Sequence, residues 1–302
     1  MLLCKDAGIC YPAPRQHERQ PTFQGLRRSI TAPGTLPELD MIKHFKDRVR
    51  EQFGRAAEGY IRDRGFARTA DLEEAAQLIN PGLDDVMLDV ACGGGHTALY
   101  FAPKVRSVVA SDLTMQMLKK AQEYITEEGG VENVTFREAD AEDLPFPAGS
   151  FTILTCRIAP HHFPDVPRAL REFFRVLRRG GRMIIIDTML PEDPQIAEFH
   201  QSMEKMRDPT HVQAFTVEQW ASMVEEAGFI VNDVSTFSKT HDFPEWAKRA
   251  GLNRDGIKKL NQFFVDAPIK VHDFFEIETF AGEVESYTDK KVMIFATRPD
   301  KK

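Results

Sequence analysis

The chain has 302 residues, 42% of them hydrophobic, with 39 basic against 46 acidic side chains and a net charge of −7. That length suits one large core with appendages, and the acidic balance excludes an overall positive field able to hold a nucleic-acid backbone. Cys4, Cys10, Cys92 and Cys156 lack C-x-x-C spacing, so neither a disulfide framework nor a zinc cluster is expected, and a reducing cytoplasm fits best.

Residues 1–40 combine prolines and clustered arginines without apolar periodicity, so a disordered tail is expected there. Met41 opens the first periodic segment, and a natural start at Met41 is one account of that tail. From Ile42, the residues Phe45, Val49, Phe53, Ala56 and Tyr60 recur at spacings of three and four, the mark of an amphipathic helix. Cap helices are therefore expected over 41–80. Val86 to Val90 reads as a strand that runs into LDVACGGGHTA, Leu88 to Ala98. Glycines at a strand end let the backbone turn tightly and come close to a ligand. Gly93, Gly95 and Ala98 also fit G-x-G-x-x-A, one form of the dinucleotide fingerprint, with Asp112 about 20 residues on for the ribose. The loop by itself leaves two cofactors open.

Further along, strands are expected at 107–111, 134–136, 151–156 and 183–187, with a helix through Met115, Leu118, Ala121 and Ile125 and another over 166–177. This rhythm predicts βαβ units in a Rossmann-like, doubly wound, mostly parallel α/β sheet. Its ligands belong at the carboxyl ends of the strands, where Gly93, Asp112, Asp140 and the residues after Cys156 should meet. Thr216 and Gln219 form a capping box for a helix to Ala227, and strands follow at 229–236 and 292–297. The expected organisation is a core over 81–242 and 288–302, interrupted at 243–287 by an aromatic-rich helical insertion or lid. Its rings either line a pocket for a flat, greasy acceptor or form a satellite core.

Asp89, inside the strand four residues before Gly93, would repel a pyrophosphate and suit a cationic amine. LDVACGGGHTA, VVASDLTMQML, READAEDLPFPAGSF, TCRIAPHHFPD and VLRRGGRMIIID, in this order, resemble the class I S-adenosylmethionine-dependent methyltransferases. They are most similar to the small-molecule branch grouped with the ubiquinone/menaquinone biosynthesis C-methyltransferases (methyltransferase type 11 domain), over roughly Met41 to Gly228. The resemblance implies a seven-stranded sheet with an antiparallel last strand. It also implies S-adenosyl-L-methionine as cofactor, S-adenosyl-L-homocysteine as product and a small-molecule methyl acceptor; the acidic balance argues against nucleic acid, and the lack of further ligands beside His161 and His162 against a metal.

Carried over by position, the resemblance assigns Asp89, Gly93 and Gly95 to the methionyl half, Asp112 to the ribose hydroxyls, Asp140 to the adenine amino group and Ala141 to a neighbouring backbone contact. Arg157 and Ile158 fall beside the methionyl end, and Ala91, Leu113 and Met117 complete the set. Tyr60 would fold over the cofactor's carboxylate with Phe53 as part of the lid, or pack in the core. Asp112 and Asp140 could equally cap the turns that follow them. His161 and His162 are the candidate bases, since imidazole titrates near neutral pH, with packing or capping of the next helix as the alternative. The expected function is methyl transfer by in-line displacement. Its rivals are a non-catalytic sensor or scaffold that binds the cofactor or its product, an NAD-dependent oxidoreductase and a macromolecular methyltransferase. The oligomeric state is left open, a homodimer included.

Overall fold

The computed structural model describes residues 36–62 and 70–300, a few side chains excepted, those of 56–62 among them. The tail expected to be disordered lies largely outside the described residues, as does the Tyr60 side chain.

Two helices come first, α1 (Leu36–Arg62) and α2 (Ala70–Ile79), then β1 (Val86–Val90), α3 (His96–Phe101), β2 (Ser107–Asp112), α4 (Met115–Gly129) and β3 (Val134–Glu138). The chain continues through β4 (Phe151–Arg157), α5 (Val166–Val176), β5 (Leu177–Thr188), α6 (Pro194–Arg207), α7 (Val217–Glu226) and β6 (Ile230–Asp242). After α8 (Phe243–Arg249), α9 (Arg254–Val265) and α10 (Ile269–Phe275) come the short β7 (Glu278–Phe280) and the long β8 (Glu283–Thr297). The sheet order is β3-β2-β1-β4-β5-β8-β6, and β7 pairs with β8 at the side. Strands β1 to β5 are parallel, and β8 runs antiparallel to both β5 and β6. The main path thus has the seven strands and antiparallel last strand expected, plus one short extra strand.

Successive side chains on a strand face opposite ways, and here both faces are covered. Met87, Ile153, Ile184 and Met293 join the core under α2 and α3. Their neighbours Leu88, Leu154, Ile185 and Ile294 join the core under α5 and α7, with Phe173 and Trp220. Two-sided burial explains the unbroken apolar run Met183 to Ile186. The cap signals work as read: Asp165 accepts from Arg168 N at the start of α5, and Thr216 with Gln219 closes a reciprocal capping box on α7.

Two strands are longer than their apolar cores suggest. β6 runs on to Asp242 and β8 begins at Glu283, because the polar stretches pair with each other, His241 opposite Tyr287 and Lys239 opposite Asp289. The aromatic residues of α8 to α10 form a third core: Trp246, Phe264 and Phe275 pack with Tyr287 and with Phe199 and Met203 of α6. Of the two roles open to those rings, the satellite core is the one observed. No helix among the described residues is long and apolar enough to cross a membrane.

Candidate active site

A cleft opens at the carboxyl ends of β1, β2 and β4, under α1. Asp89, Ala91, Gly93, Asp112, Leu113 and Met117 line one end of it. Asp140, Ala141, Arg157, Ile158 and His162 line the rest, with Lys46, Val49 and Phe53 of α1 above. Residues singled out between Val49 and His162 therefore meet in one place.

The glycines have separate jobs. Gly93 has φ +52°, and a Cβ there would meet no atom within 4 Å, so the loop leaves open space for a ligand to approach. Gly95 has φ +82°, but a Cβ there would sit 3.0 Å from Ile125 and 3.1 Å from Ala121 of α4. It permits α3 and α4 to pack closely and does not border the cleft. The loop is braced by Asp112, whose carboxylate accepts from Gly93 N at 3.0 Å and Thr114 N at 2.9 Å. Each oxygen keeps a lone-pair position for a further donor. Burial pushes the Asp112 carboxyl up in spite of those two bonds.

Asp89 is 1% exposed. The Thr155 hydroxyl donates to its Oδ1 at 2.7 Å, while Oδ2 has no hydrogen-bond partner. Burial raises this carboxyl to about 7, so near neutral pH it is poised between its two states. Asp140 lies at the other end. Its Oδ1 accepts from Glu142 N at 3.0 Å, and Lys46 Nζ bridges Asp140 Oδ2 and Glu142 Oε2 at 2.6 Å each. Lys46 had no flag in the sequence, although its spacing of three from Val49 and seven from Phe53 puts it on the apolar face of α1.

Arg157 borders the cleft while making a bidentate pair with Asp71 of α2, at 2.7 and 3.3 Å. Ile158 has φ +53°, a strained conformation for a β-branched residue, and its N–H is tied to Ile186 O at 2.7 Å. That turn feeds a single 3₁₀ turn, Pro160–His162, which sends the two histidines different ways.

His162 faces the cleft, with the Phe53 ring edge-on at 4.9 Å. Its Nδ1 lies 3.0 Å from the Thr210 carbonyl. A carbonyl oxygen can only accept, so Nδ1 carries the proton, and the neutral ring keeps its lone pair on Nε2. His161 is turned away behind it. Its Nδ1 is 2.5 Å from Asp187 Oδ1, and its backbone N–H donates to Asp187 Oδ2 at 2.9 Å. Burial pushes the Asp187 carboxyl up to about 7 and His161 well below its usual range, so the pocket disfavours charge on both. Asp187 ends the apolar run MIIID much as Asp89 sits in MLDV, a signal available in the sequence but assigned no role there. Among the described residues, no group of three or more His, Cys, Asp or Glu side chains is arranged to hold a metal ion.

This strand order, with a glycine loop after the first strand and an acid at the end of the second, defines a class I methyltransferase core. Residues 88–185 match the methyltransferase domain family. The Bacillus subtilis protein YcgJ, named as an uncharacterized methyltransferase, is 36% identical over 243 residues, 80% of this chain and 96% of YcgJ. The crystal structure of YcgJ matches with a TM-score of 0.72 at 34% identity, over 76% of this chain and 98% of that one. The ubiquinone/menaquinone biosynthesis C-methyltransferase UbiE of Rickettsia akari is 29% identical over 187 residues, 60% of this chain and 73% of UbiE. In fold alone, geranyl diphosphate C-methyltransferase of Streptomyces coelicolor A3(2), solved with Mg2+, geranyl diphosphate and S-adenosyl-L-homocysteine, matches with a TM-score of 0.53 at 16% identity, over 76% of this chain and 78% of that one. The chain belongs to the methyltransferase family and is a transferase.

Proposed function

We propose that the protein moves a methyl group from S-adenosylmethionine to a small-molecule acceptor by in-line displacement, with S-adenosylhomocysteine as the second product. The observation that carries this reading is Asp89 Oδ2, a buried carboxylate oxygen without a hydrogen-bond partner beside the open face of Gly93. A cationic amine satisfies that oxygen. A pyrophosphate would be repelled by it, which counts against a nicotinamide cofactor.

The other residues fit the same group. Asp112 has lone pairs left for two ribose hydroxyls, and Asp140 can accept from an exocyclic amine while Lys46 stays with Glu142. Ala91, Leu113, Met117, Ala141 and Ile158 offer backbone and apolar surface along the cleft. Arg157, tied to Asp71, adds positive charge near the methionyl end. The bound cofactor supplies an electrophilic sulfonium methyl. Displacement at such a centre asks chiefly for alignment and exclusion of water, which the apolar face of α1 provides through Val49 and Phe53. The proton lost by the acceptor goes to His162 Nε2, and the Thr210 carbonyl holds the tautomer that can take it. His161 with Asp187 supports His162 from behind. The acidic balance supports a small acceptor over a nucleic acid.

The test is a calorimetric titration with S-adenosylmethionine, S-adenosylhomocysteine and NAD in parallel, repeated on Asp112→Ala. Micromolar binding of the adenosyl ligands, lost in the variant, is the expected result. Binding of NAD alone overturns the reading, and adenosyl binding with no turnover across a broad acceptor screen would favour a sensor.

A further inference from the structure

The helix that covers the cleft, α1, is the longest among the described residues and rests on little apolar burial. Over residues 40–55, whose side chains are described, Val49 alone is buried. By contrast, α5 buries Val166, Ala169, Leu170, Phe173 and Val176 within 11 residues. Helices in proteins are held mainly by packing of an apolar face, so a helix that buries one valine needs other ties to stay in place.

Those ties are polar, and they run to three separate parts of the fold. Lys46 Nζ donates to Asp140 Oδ2 and Glu142 Oε2 at 2.6 Å each, Arg48 Nη2 to the Pro209 carbonyl at 3.3 Å and Gln52 Nε2 to the Ala250 carbonyl at 2.7 Å. At about 3.6 residues per turn, Lys46 leaves the helix on one side of the stripe formed by Val49 and Phe53, and Arg48 and Gln52 leave on the other. The stripe itself lines the cleft, with Phe53 against the His162 ring. The helix is thus a strap, tied down along both sides.

The ties are unequal. Arg48 is exposed and Gln52 is uncharged, and both reach neutral carbonyls. Lys46 joins two carboxylates, with 13% of its own side chain exposed and 3% of that of Glu142. Glu142 is itself built in: its Oε1 accepts from Asp165 N at the start of α5, and its backbone carbonyl accepts from Arg168 Nε. Lifting α1 strips that buried carboxylate of its cation, where burial already raises the carboxyl and Lys46 opposes the rise. Asp140 connects this tie to the ligand, being the acid assigned to the adenine amine. Lys46 keeps Glu142 when that amine arrives, so the seated helix suits the empty and the filled cleft alike. A tie of this kind governs how fast a ligand passes, and not how tightly it is held.

We propose that Lys46 is the latch of α1, a positioning residue whose bonds to Asp140 and Glu142 hold the helix over the cleft and whose release sets the rate at which S-adenosylmethionine enters and S-adenosylhomocysteine leaves. The inference rests on the methyl-transfer reading and deepens it by assigning the control of product release. Without the latch, α1 rests on Val49, Phe53 and two bonds to neutral carbonyls, and it opens more often.

The experiment uses the full chain and S-adenosylhomocysteine. Calorimetry gives the affinity, surface plasmon resonance the on-rate and off-rate, and hydrogen exchange the opening of α1 in the empty protein. Lys46→Met should raise both rates tenfold or more, keep the affinity within threefold, and speed exchange of the amides of residues 44–55 tenfold or more with those of α4 unchanged. Lys46→Arg, which keeps the charge, should stay within threefold of the wild type in every reading. Should Lys46→Met lose its cooperative melt, the double variant Lys46→Met with Glu142→Gln removes the stranded charge and takes its place with the same expected rise. Unchanged rates, a faster off-rate matched by an equal loss of affinity, or exchange of α1 no faster than in the wild type each overturns the proposal. Failure of the wild type to bind S-adenosylhomocysteine sinks the methyl-transfer reading instead, while hydrogen exchange still decides whether Lys46 holds α1.

Discussion

At the glycine-loop end of the cleft, Asp112 reaches Gly93 across 19 positions and Thr114 across two, and both bonds come from backbone N–H groups. At and behind the histidine end, the His162 side chain reaches the Thr210 carbonyl across 48 positions and the Lys291 side chain reaches the Thr188 hydroxyl across 103. The first end is a short-range object fixed by turns. The second exists only when distant strands and α6 come together. An end made of backbone suits a ligand shared by many proteins, whereas an end made of side chains can be rewritten residue by residue for a particular acceptor.

That contrast can be broken at several points. His162→Gln should lower turnover by ~10²–10⁴-fold with little change in S-adenosylhomocysteine affinity, since it removes a proton acceptor and not a cofactor contact. Steady-state kinetics beside calorimetry would separate the two, and an equal loss in both would place His162 at the cofactor end. Asp112→Ala should weaken S-adenosylhomocysteine by roughly 100-fold, or about 2.7 kcal/mol, because it frees the Gly93 loop as well as deleting a partner. A change of less than fivefold would show that the loop holds without its brace.

Asp89 sharpens the comparison through pH. With its carboxyl raised to about 7, the ionised form that accepts a cationic amine is about a tenth of the population at pH 6 and about nine-tenths at pH 8. Affinity for S-adenosylhomocysteine should therefore fall roughly tenfold from pH 8 to pH 6, and Asp89→Asn should be weak and flat over that range. Stability moves in the opposite sense. A carboxyl whose pKa rises on folding favours the folded state least above the folded pKa, so the wild type should lose stability relative to Asp89→Asn as pH climbs from about 4 to 7. Denaturant melts of both proteins at pH 4.5 and 7.5 would read the difference. Lys46→Met is expected to have the smallest effect on binding, less than threefold, because Asp140 gains a free oxygen as it loses its cation. Its larger effect falls on stability, since Glu142, buried and already raised by that burial, is left without Lys46.

The same contrast governs what the sequence discloses. Asp89, Gly93, Asp112 and Asp140 stand out because each breaks a local pattern, an acid in an apolar strand or a glycine where the chain must turn. Gly95 shows the limit of that logic: in sequence it looks like its neighbour, and only the approach of Ala121 and Ile125 reveals its role in helix packing. Thr210 carries no local signal at all, sitting in a loop whose importance comes from meeting His162. The polar halves of β6 and β8 are unreadable for a related reason, since Lys239 and Asp289 become strand residues by pairing with each other across 50 positions.

The position of β8 in the sheet also sets an order of assembly. Its slot lies between β5 and β6, and among the described residues β6 pairs with no other strand. During synthesis the five parallel strands of the glycine-loop end are all present once Thr188 has emerged, whereas β6 must wait for residues 283–297 before it has anything to pair with. The strands of the glycine-loop end can thus pair about a hundred residues before Asp289 and Lys291 of β8 arrive. Contacts within that early half therefore form before β8 completes the sheet.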